Sequence, residues 1–166
     1  MIKEVKGDIL LSKAEAIAHG VAPFDHFDNG LALSLRQEWP AMFNDFKHYC
    51  HVHNPKSGTA WIWSGPGGTR IINLLTQDPS EGHRHQGHPG KATLSNVRHS
   101  VDALKKLIEK ENLQSVALPR LATGVGGLDW EEVKKVIYEH LGDLPATVYV
   151  YTTFSKGVSG ENPEQA

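Results

Sequence analysis

The stretch "PRLATGVGGLDWEEV", Pro119 to Val133, places Gly124, Gly126 and Gly127 between a short apolar run and an amphipathic one. Glycine lets backbone N–H groups approach a ligand closely and takes positive φ without strain. A helix that starts at such a loop adds unpaired donors and a partial positive charge. Together these make a cradle for an anion, phosphate above all. The segment has neither the Lys-Ser/Thr of a P-loop nor the G-x-G-x-x-G spacing of a dinucleotide fold, so a plain tight turn is the other reading of the same residues. Asp129 with Glu132 three residues on has the pattern of a capping box, which makes Asp129 a helix-starting residue.

Groups able to move a proton gather in two other places. Asp25, His26 and Asp28 share "FDHFDNG"; His83, His85, His88 and Lys91 share "EGHRHQGHPGKA". Hydrolysis of a glycosidic bond needs a group that activates water or helps the leaving atom depart, and histidine titrates in the range that suits either task. A solvated histidine-rich loop without chemistry is the alternative. The cluster "HYCHVH" (His48, Cys50, His51, His53) has spacings that match no structural zinc pattern closely. No metal site and no cofactor are therefore expected. His19, inside an apolar run, reads as a buried and hydrogen-bonded residue.

These residues need a frame. "IKEV" reads as a short strand ending at Gly7-Asp8, and "EAIAHGVA" as a second apolar run leading into the "FDHFDNG" loop. "LALSLRQEW" is helical in composition until Pro40 stops it. "AMFNDFKHYC" is a further helix with Met42, Phe43, Phe46, Tyr49 and Cys50 on one face. "TAWIWS" and "TRIINLLT" flank "GPGG" as a strand pair, and "QDPSEGHRHQGHPGKA" is a long loop of the kind that serves as a lid or lacks order. Apolar residues recur from Leu94 at Val97, Val101, Leu104, Leu107 and Ile108, the period of an amphipathic helix. "SVAL" is a strand, a helix carries Trp130, Val133, Ile137 and Leu141 inward, and "ATVYVYTTF" is the last strand. Residues 1–154 form the expected domain, and 155–166, rich in Gly, Glu and Pro, a flexible tail. Strands alternating with helices predict a three-layer α/β/α fold with a mixed, mainly parallel central sheet. Ligands of such sheets bind beyond the carboxyl ends of the strands.

The chain has 166 residues, 39% of them hydrophobic and 22% charged, as in an ordinary globular domain. A formal net charge of -2 provides no basic footprint for non-specific nucleic-acid binding. One cysteine leaves no internal disulfide and suits a reducing compartment. No apolar run reaches membrane-spanning length, so a cytoplasmic monomer without membrane contact is expected.

Four segments in order, "VKGDIL", "DNGLAL", "INLLTQ" and "PRLATGVGGLDW", resemble those of macrodomains, the ADP-ribose-binding α/β/α family. The likeness runs over about residues 2 to 154 and points to the branch of the terminal ADP-ribose protein glycohydrolase and the bacterial DNA ADP-ribosyl glycohydrolase antitoxin. It implies an ADP-ribosyl hydrolase acting on modified protein or nucleic acid, or else a non-catalytic reader of ADP-ribose. It further implies that Asp8 accepts from the adenine amino group, with Ile9 offering its N–H and Phe154 stacking nearby. His19, Asn29, Gly30 and Gln77 would lie by the distal ribose and diphosphate. Ala122, Thr123, Gly124, Val125, Gly126 and Gly127 would wrap the diphosphate. In that branch a lysine and an aspartate perform the covalent chemistry, where this chain carries Gln77 and Gly126. Asp28, His83, His85 and Lys91 are then the candidates for catalysis.

Overall fold

Alternate residues along the central strands face opposite layers, and this alternation organises the core. A computed structural model describes residues 1–80 and 87–161. Ala16 and Ala18, Ile72 and Leu74, Val116 and Leu118, and Val148 and Val150 all join one apolar cluster. Their neighbours Ile17, Ile71, Ala117 and Tyr151 join a second one on the other face. The strands are β1 (Ile2–Gly7), β2 (Ala16–Gly20), β3 (Ala60–Ser64), β4 (Arg70–Leu74), β7 (Ser115–Pro119) and β8 (Thr147–Phe154). They form one sheet in the order β1-β8-β7-β2-β4-β3. Every pairing is parallel except that of β3 with β4, the strand pair flanking "GPGG".

Helices α1 (Gly30–Glu38) and α2 (Pro40–His53) cover one face; α3 (Leu94–Lys110) and α4 (Trp130–Leu141) cover the other. Pro40 ends α1 and occupies the first turn of α2, where its missing N–H costs nothing. Met42, Phe43, Phe46 and Cys50 are buried, and Tyr49 stacks on Trp61 with ring centroids 4.9 Å apart. Val97, Val101, Leu104 and Ile108 of α3 meet Val133, Val136, Ile137 and Leu141 of α4 in the first cluster. The three-layer arrangement thus follows the periodicities read from the sequence.

Three details differ from the sequence reading. The expected long loop contains two short antiparallel strands, β5 (Gln77–Pro79) and β6 (Pro89–Ala92). Their pairing is held by backbone groups that a Gly- and Pro-rich composition does not advertise. Asp129 stands at the N-cap of α4 but its side chain makes no capping hydrogen bond. Finally, residues 155–161 fold back over the end of β1. Ser155 N–H donates to Gly7 O at 3.0 Å, and Asp8 N–H donates to Val158 O at 2.7 Å. The Glu161 carboxylate accepts from Ser12 Oγ, Lys13 N–H and Tyr151 OH.

Candidate ligand cleft

Beyond the carboxyl ends of β1, β2, β7 and β8 lie two cavities that share Leu31 and Pro119 in their walls. The first, of about 250 Å³, is bounded by Gly7, Asp8, Ile9, Leu10, Tyr151 and Phe154. Asp8 accepts from Leu10 N–H at 3.1 Å and so caps the single turn Ile9–Leu11. It is both a turn residue and a carboxylate in the wall. Phe154 is 72% exposed, which removes core packing as its role and leaves a ring face for a flat ligand.

The second cavity, of about 300 Å³, takes in His19, Asp25, Asp28, Asn29, Gly30, Gln77, Gly124 and Val125. Gly30 opens α1 with φ +58°, a conformation that side-chain-bearing residues rarely adopt. The Asn29 side chain makes no capping hydrogen bond, so the amides of the first turn of α1 stay available to an anion. Because Leu128 and Asp129 intervene, α4 begins three residues past Gly127 and does not abut the glycine loop. The helix N-terminus in the cavity wall is therefore that of α1 and not that of α4. Within the loop, Ala122 takes φ +60° and Gly127 φ +75°. Leu128 N–H closes on Ala122 O, and Gly127 N–H on Gly124 O, both at 3.0 Å.

The far end of this cavity holds two buried titratable groups. The Nε2 of His19 lies 2.6 Å from Asn73 Oδ1, and its ring stands edge-on to Phe27. Burial drives the imidazole down to about 4, against the opposing effect of that hydrogen bond. His19 is therefore neutral near pH 7, donating from Nε2 and leaving Nδ1 as a bare acceptor. That Nδ1 has no hydrogen-bonding partner among the described residues. Asp25 accepts from Ala22 N–H at 3.1 Å and Phe27 N–H at 2.8 Å. Burial raises its carboxyl, the two backbone donors oppose this, and Asp28 adds to the rise. Asp28 itself is exposed and pairs with Arg36 at 3.2 Å, whose guanidinium lies 4.3 Å from the Phe43 ring centre.

The geometry thus gathers Asp8, Ile9 and Phe154 in one cavity and His19, Asp28, Asn29, Gly30, Gln77, Gly124 and Val125 in the other. Ala122, Thr123, Gly126 and Gly127 belong to the same loop but are not in either wall. Lys91 is exposed on β6 and outside both walls. His83 and His85 lie outside the described residues. Asp25, Gly20, Ala32, Pro89 and Arg120 complete the second wall; of these only Asp25 carried a sequence signal, its place beside Asp28.

A family model described as "Macro domain" matches residues 22–137. The chain belongs to this family. The Mycobacterium tuberculosis DNA ADP-ribosyl glycohydrolase is 29% identical over 168 residues, spanning 96% of this chain and 45% of that protein. The human ADP-ribose glycohydrolase OARD1 is 26% identical, spanning 89% of this chain and 90% of the relative. The solved macrodomain of Thermus aquaticus DarG superposes with a TM-score of 0.80 at 27% identity, over 92% of this chain and 98% of that one. The chain spans less than half the length of the bacterial glycohydrolase.

In this macrodomain, the two positions paired by resemblance with a lysine and an aspartate are both tied to β6. Gln77 donates from Nε2 to Gly90 O at 3.0 Å, and Ala92 N–H donates to Gly126 O at 3.0 Å. A Cβ on Gly126 would lie 2.6 Å from Ala122 O, so no side chain fits there without moving the loop backbone. The β5–β6 ribbon thus connects the end of β4 to the glycine loop.

Proposed function

We propose that this macrodomain binds ADP-ribose and hydrolytically releases it from a modified protein or nucleic acid. The observation that carries the reading is the pair of contiguous cavities, with Asp8 and the exposed Phe154 at one end and buried His19 and Asp25 at the other. An adenine suits the first end, because a carboxylate only accepts and the amino edge of adenine donates. A diphosphate suits the middle, where the first turn of α1 and the glycine backbone supply N–H donors. The second ribose then falls at the far end. There, water would attack the anomeric carbon as the bond to the modified group breaks, its proton passing to an acceptor in the wall. Positioning of the sugar and stabilisation of an oxocarbenium-like transition state supply the rate. The names of the relatives support the same chemistry.

Glutamine cannot form the Schiff base available to a lysine, and Gly126 leaves no room for a carboxylate. These two observations favour a second reading, an ADP-ribose-binding module without turnover. We further read the chain as a bacterial, cytoplasmic monomer, supported by bacterial relatives and a lone cysteine. No helix among the described residues is long and apolar enough to cross a membrane. Calorimetric titration with ADP-ribose, followed by incubation with mono-ADP-ribosylated protein and DNA, tests both readings. Binding with release of free ADP-ribose is the expected result. Binding without release from either substrate establishes the reader, and no binding at high micromolar ligand overturns both.

A further inference from the structure

The ligand proposed for the cleft carries two negative phosphates, and the walls that would receive them are poor in positive charge. Asp8 borders the near cavity, and Asp25 and Asp28 border the far one. Asp28 is paired with Arg36 at 3.2 Å, and Arg36 itself is in neither wall. His19 is neutral near pH 7 because of its burial. Among the described residues of the two walls, that leaves Arg120 as the one positively charged side chain. Backbone N–H groups supply partial charges only, so a diphosphate seated beside these carboxylates meets a single full counter-charge.

The glycine loop sets the place of this arginine. Pro119, which belongs to both walls, is the last residue of β7, and Arg120 follows it directly. The side chain is thus rooted where the two cavities meet. The Arg120 carbonyl accepts from Thr123 Oγ1 at 3.2 Å, which ties that root to the loop. Leu128 N–H donates to Ala122 O at 3.0 Å, and this closure brings the start of α4 back beside the end of β7. Trp130 stands there, half-buried and packed against the first apolar cluster, and the guanidinium carbon of Arg120 lies over its ring, 5.5 Å from the centre. Arg120 is otherwise exposed, and among the described residues no carboxylate or carbonyl engages its guanidinium. A guanidinium held over an aromatic ring keeps its N–H fork for a second partner. The support also lowers the side-chain freedom lost when an anion binds.

We propose that Arg120 is a ligand-binding residue of this cleft, its guanidinium donating to phosphate oxygens of the diphosphate while Trp130 supports it from the other side. This rests on the reading that ADP-ribose occupies the cleft. Guanidinium–phosphate pairs are charge-assisted and directional, so Arg120 adds a full charge where the loop amides give only partial ones. It touches neither the second sugar nor the bond that breaks, and it governs affinity for the diphosphate.

The test compares adenosine, ADP and ADP-ribose by calorimetry on the wild-type protein, Arg120→Gln and Arg120→Lys, at about 0.05 M and about 0.3 M salt. At low salt Arg120→Gln weakens ADP and ADP-ribose alike by about tenfold, or about 1.4 kcal/mol, and leaves adenosine within about twofold. Arg120→Lys falls between wild type and Arg120→Gln, because it keeps the charge and loses the planar fork. Wild-type affinity for ADP-ribose also drops more steeply with salt than that of Arg120→Gln. A loss that is equal for adenosine makes Arg120 a support of the loop and overturns the proposal, as does no loss for any ligand. A loss confined to ADP-ribose puts the side chain at the second sugar and overturns it too. Where adenosine binds too weakly to titrate, the salt slopes decide: parallel slopes for wild type and Arg120→Gln overturn the proposal. Wild-type protein that binds none of the three defeats the underlying functional reading, and this inference with it.

Discussion

Replacing Glu161 with alanine removes a carboxylate that accepts three hydrogen bonds from parts of the chain far apart in sequence. Ser12 Oγ and Tyr151 OH each donate at 2.5 Å, and Lys13 N–H donates at 3.1 Å. Burial, with help from Glu161, pushes the Tyr151 hydroxyl up to about 12, so it stays protonated and donating throughout the neutral range. Hydrogen bonds to a charged acceptor contribute roughly 1.5–3 kcal/mol each when enclosed. Ser12 and Glu161 are half-buried and Lys13 is exposed, so water can replace part of what is lost. The expected cost of Glu161→Ala is therefore about 2–4 kcal/mol. For a domain of this size, 1 kcal/mol moves the melting temperature by roughly 2–4 °C, which gives a fall of about 4–16 °C in calorimetry. Residues 8–13 lose their anchor at the same time, and they carry Asp8 and Ile9 of the near cavity. ADP-ribose affinity should fall about fivefold or more, with Glu161→Gln intermediate because it keeps one acceptor oxygen. An unchanged melting temperature together with unchanged affinity would refute the idea that residues 155–161 hold the near cavity in shape.

Three further outcomes follow from the same geometry. His19 falls from 6.5 in the unfolded chain to about 4 in the fold, so its neutral form is favoured by folding: the stabilisation is complete above pH 6.5 and disappears as pH falls through 4. At 1.36 kcal/mol per unit this is about 3 kcal/mol, and the difference between wild-type and His19→Phe denaturant unfolding curves across pH 7 to 3 should show it; a flat difference contradicts the burial argument. Asp8→Asn keeps an acceptor for Leu10 N–H and so should hold the melting temperature within about 2 °C while weakening ADP-ribose binding about tenfold; equal binding removes the carboxylate from recognition. The double variant Gln77→Lys/Gly126→Asp should yield no borohydride-trapped adduct with an ADP-ribosylated substrate, because position 126 cannot carry a side chain in this loop; mass-spectrometric detection of such an adduct would show that the loop yields.

Local pattern was enough for the layers. Val97, Val101, Leu104 and Ile108 recur at helical spacing and all are buried in α3, and the β-branched runs of β4 and β8 sit in the sheet as expected. Cleft residues were legible where a type carries its own chemistry: the glycines, Asp8, and Asn29-Gly30. What stayed hidden depends on partners distant in sequence. His19 meets Asn73, 54 residues away, and nothing local tells a paired ring nitrogen from a bare one. Asp25 is buried in a turn where Phe24 and Phe27 both take positive φ, a conformation that the aromatic residue type does not announce. Residues 155–161 read as a fraying tail in composition alone, since a glutamate among serines and glycines looks solvated until three donors converge on it.

The ribbon formed by β5 and β6 bears on how such a cleft can work without a lysine. Gln77 binds one carbonyl of β6, and Gly126 accepts an amide of the same strand two residues on. A Cβ on Gly90 would lie 2.8 Å from Asp78 O and Pro79 O, so the ribbon tolerates only glycine where it passes Gln77. Gln77 therefore has its amide committed to the ribbon, which in turn is bonded to the glycine loop. A lysine at position 77 would lose that carbonyl contact's geometry and bring a flexible charge beside His19 and Asp25. Gln77, in the wall, and Gly126, outside it, are thus both tied to β6. Among the described residues, the carboxylates and imidazole that line this cavity are His19, Asp25 and Asp28, and under the proposed reading the sugar is positioned against them.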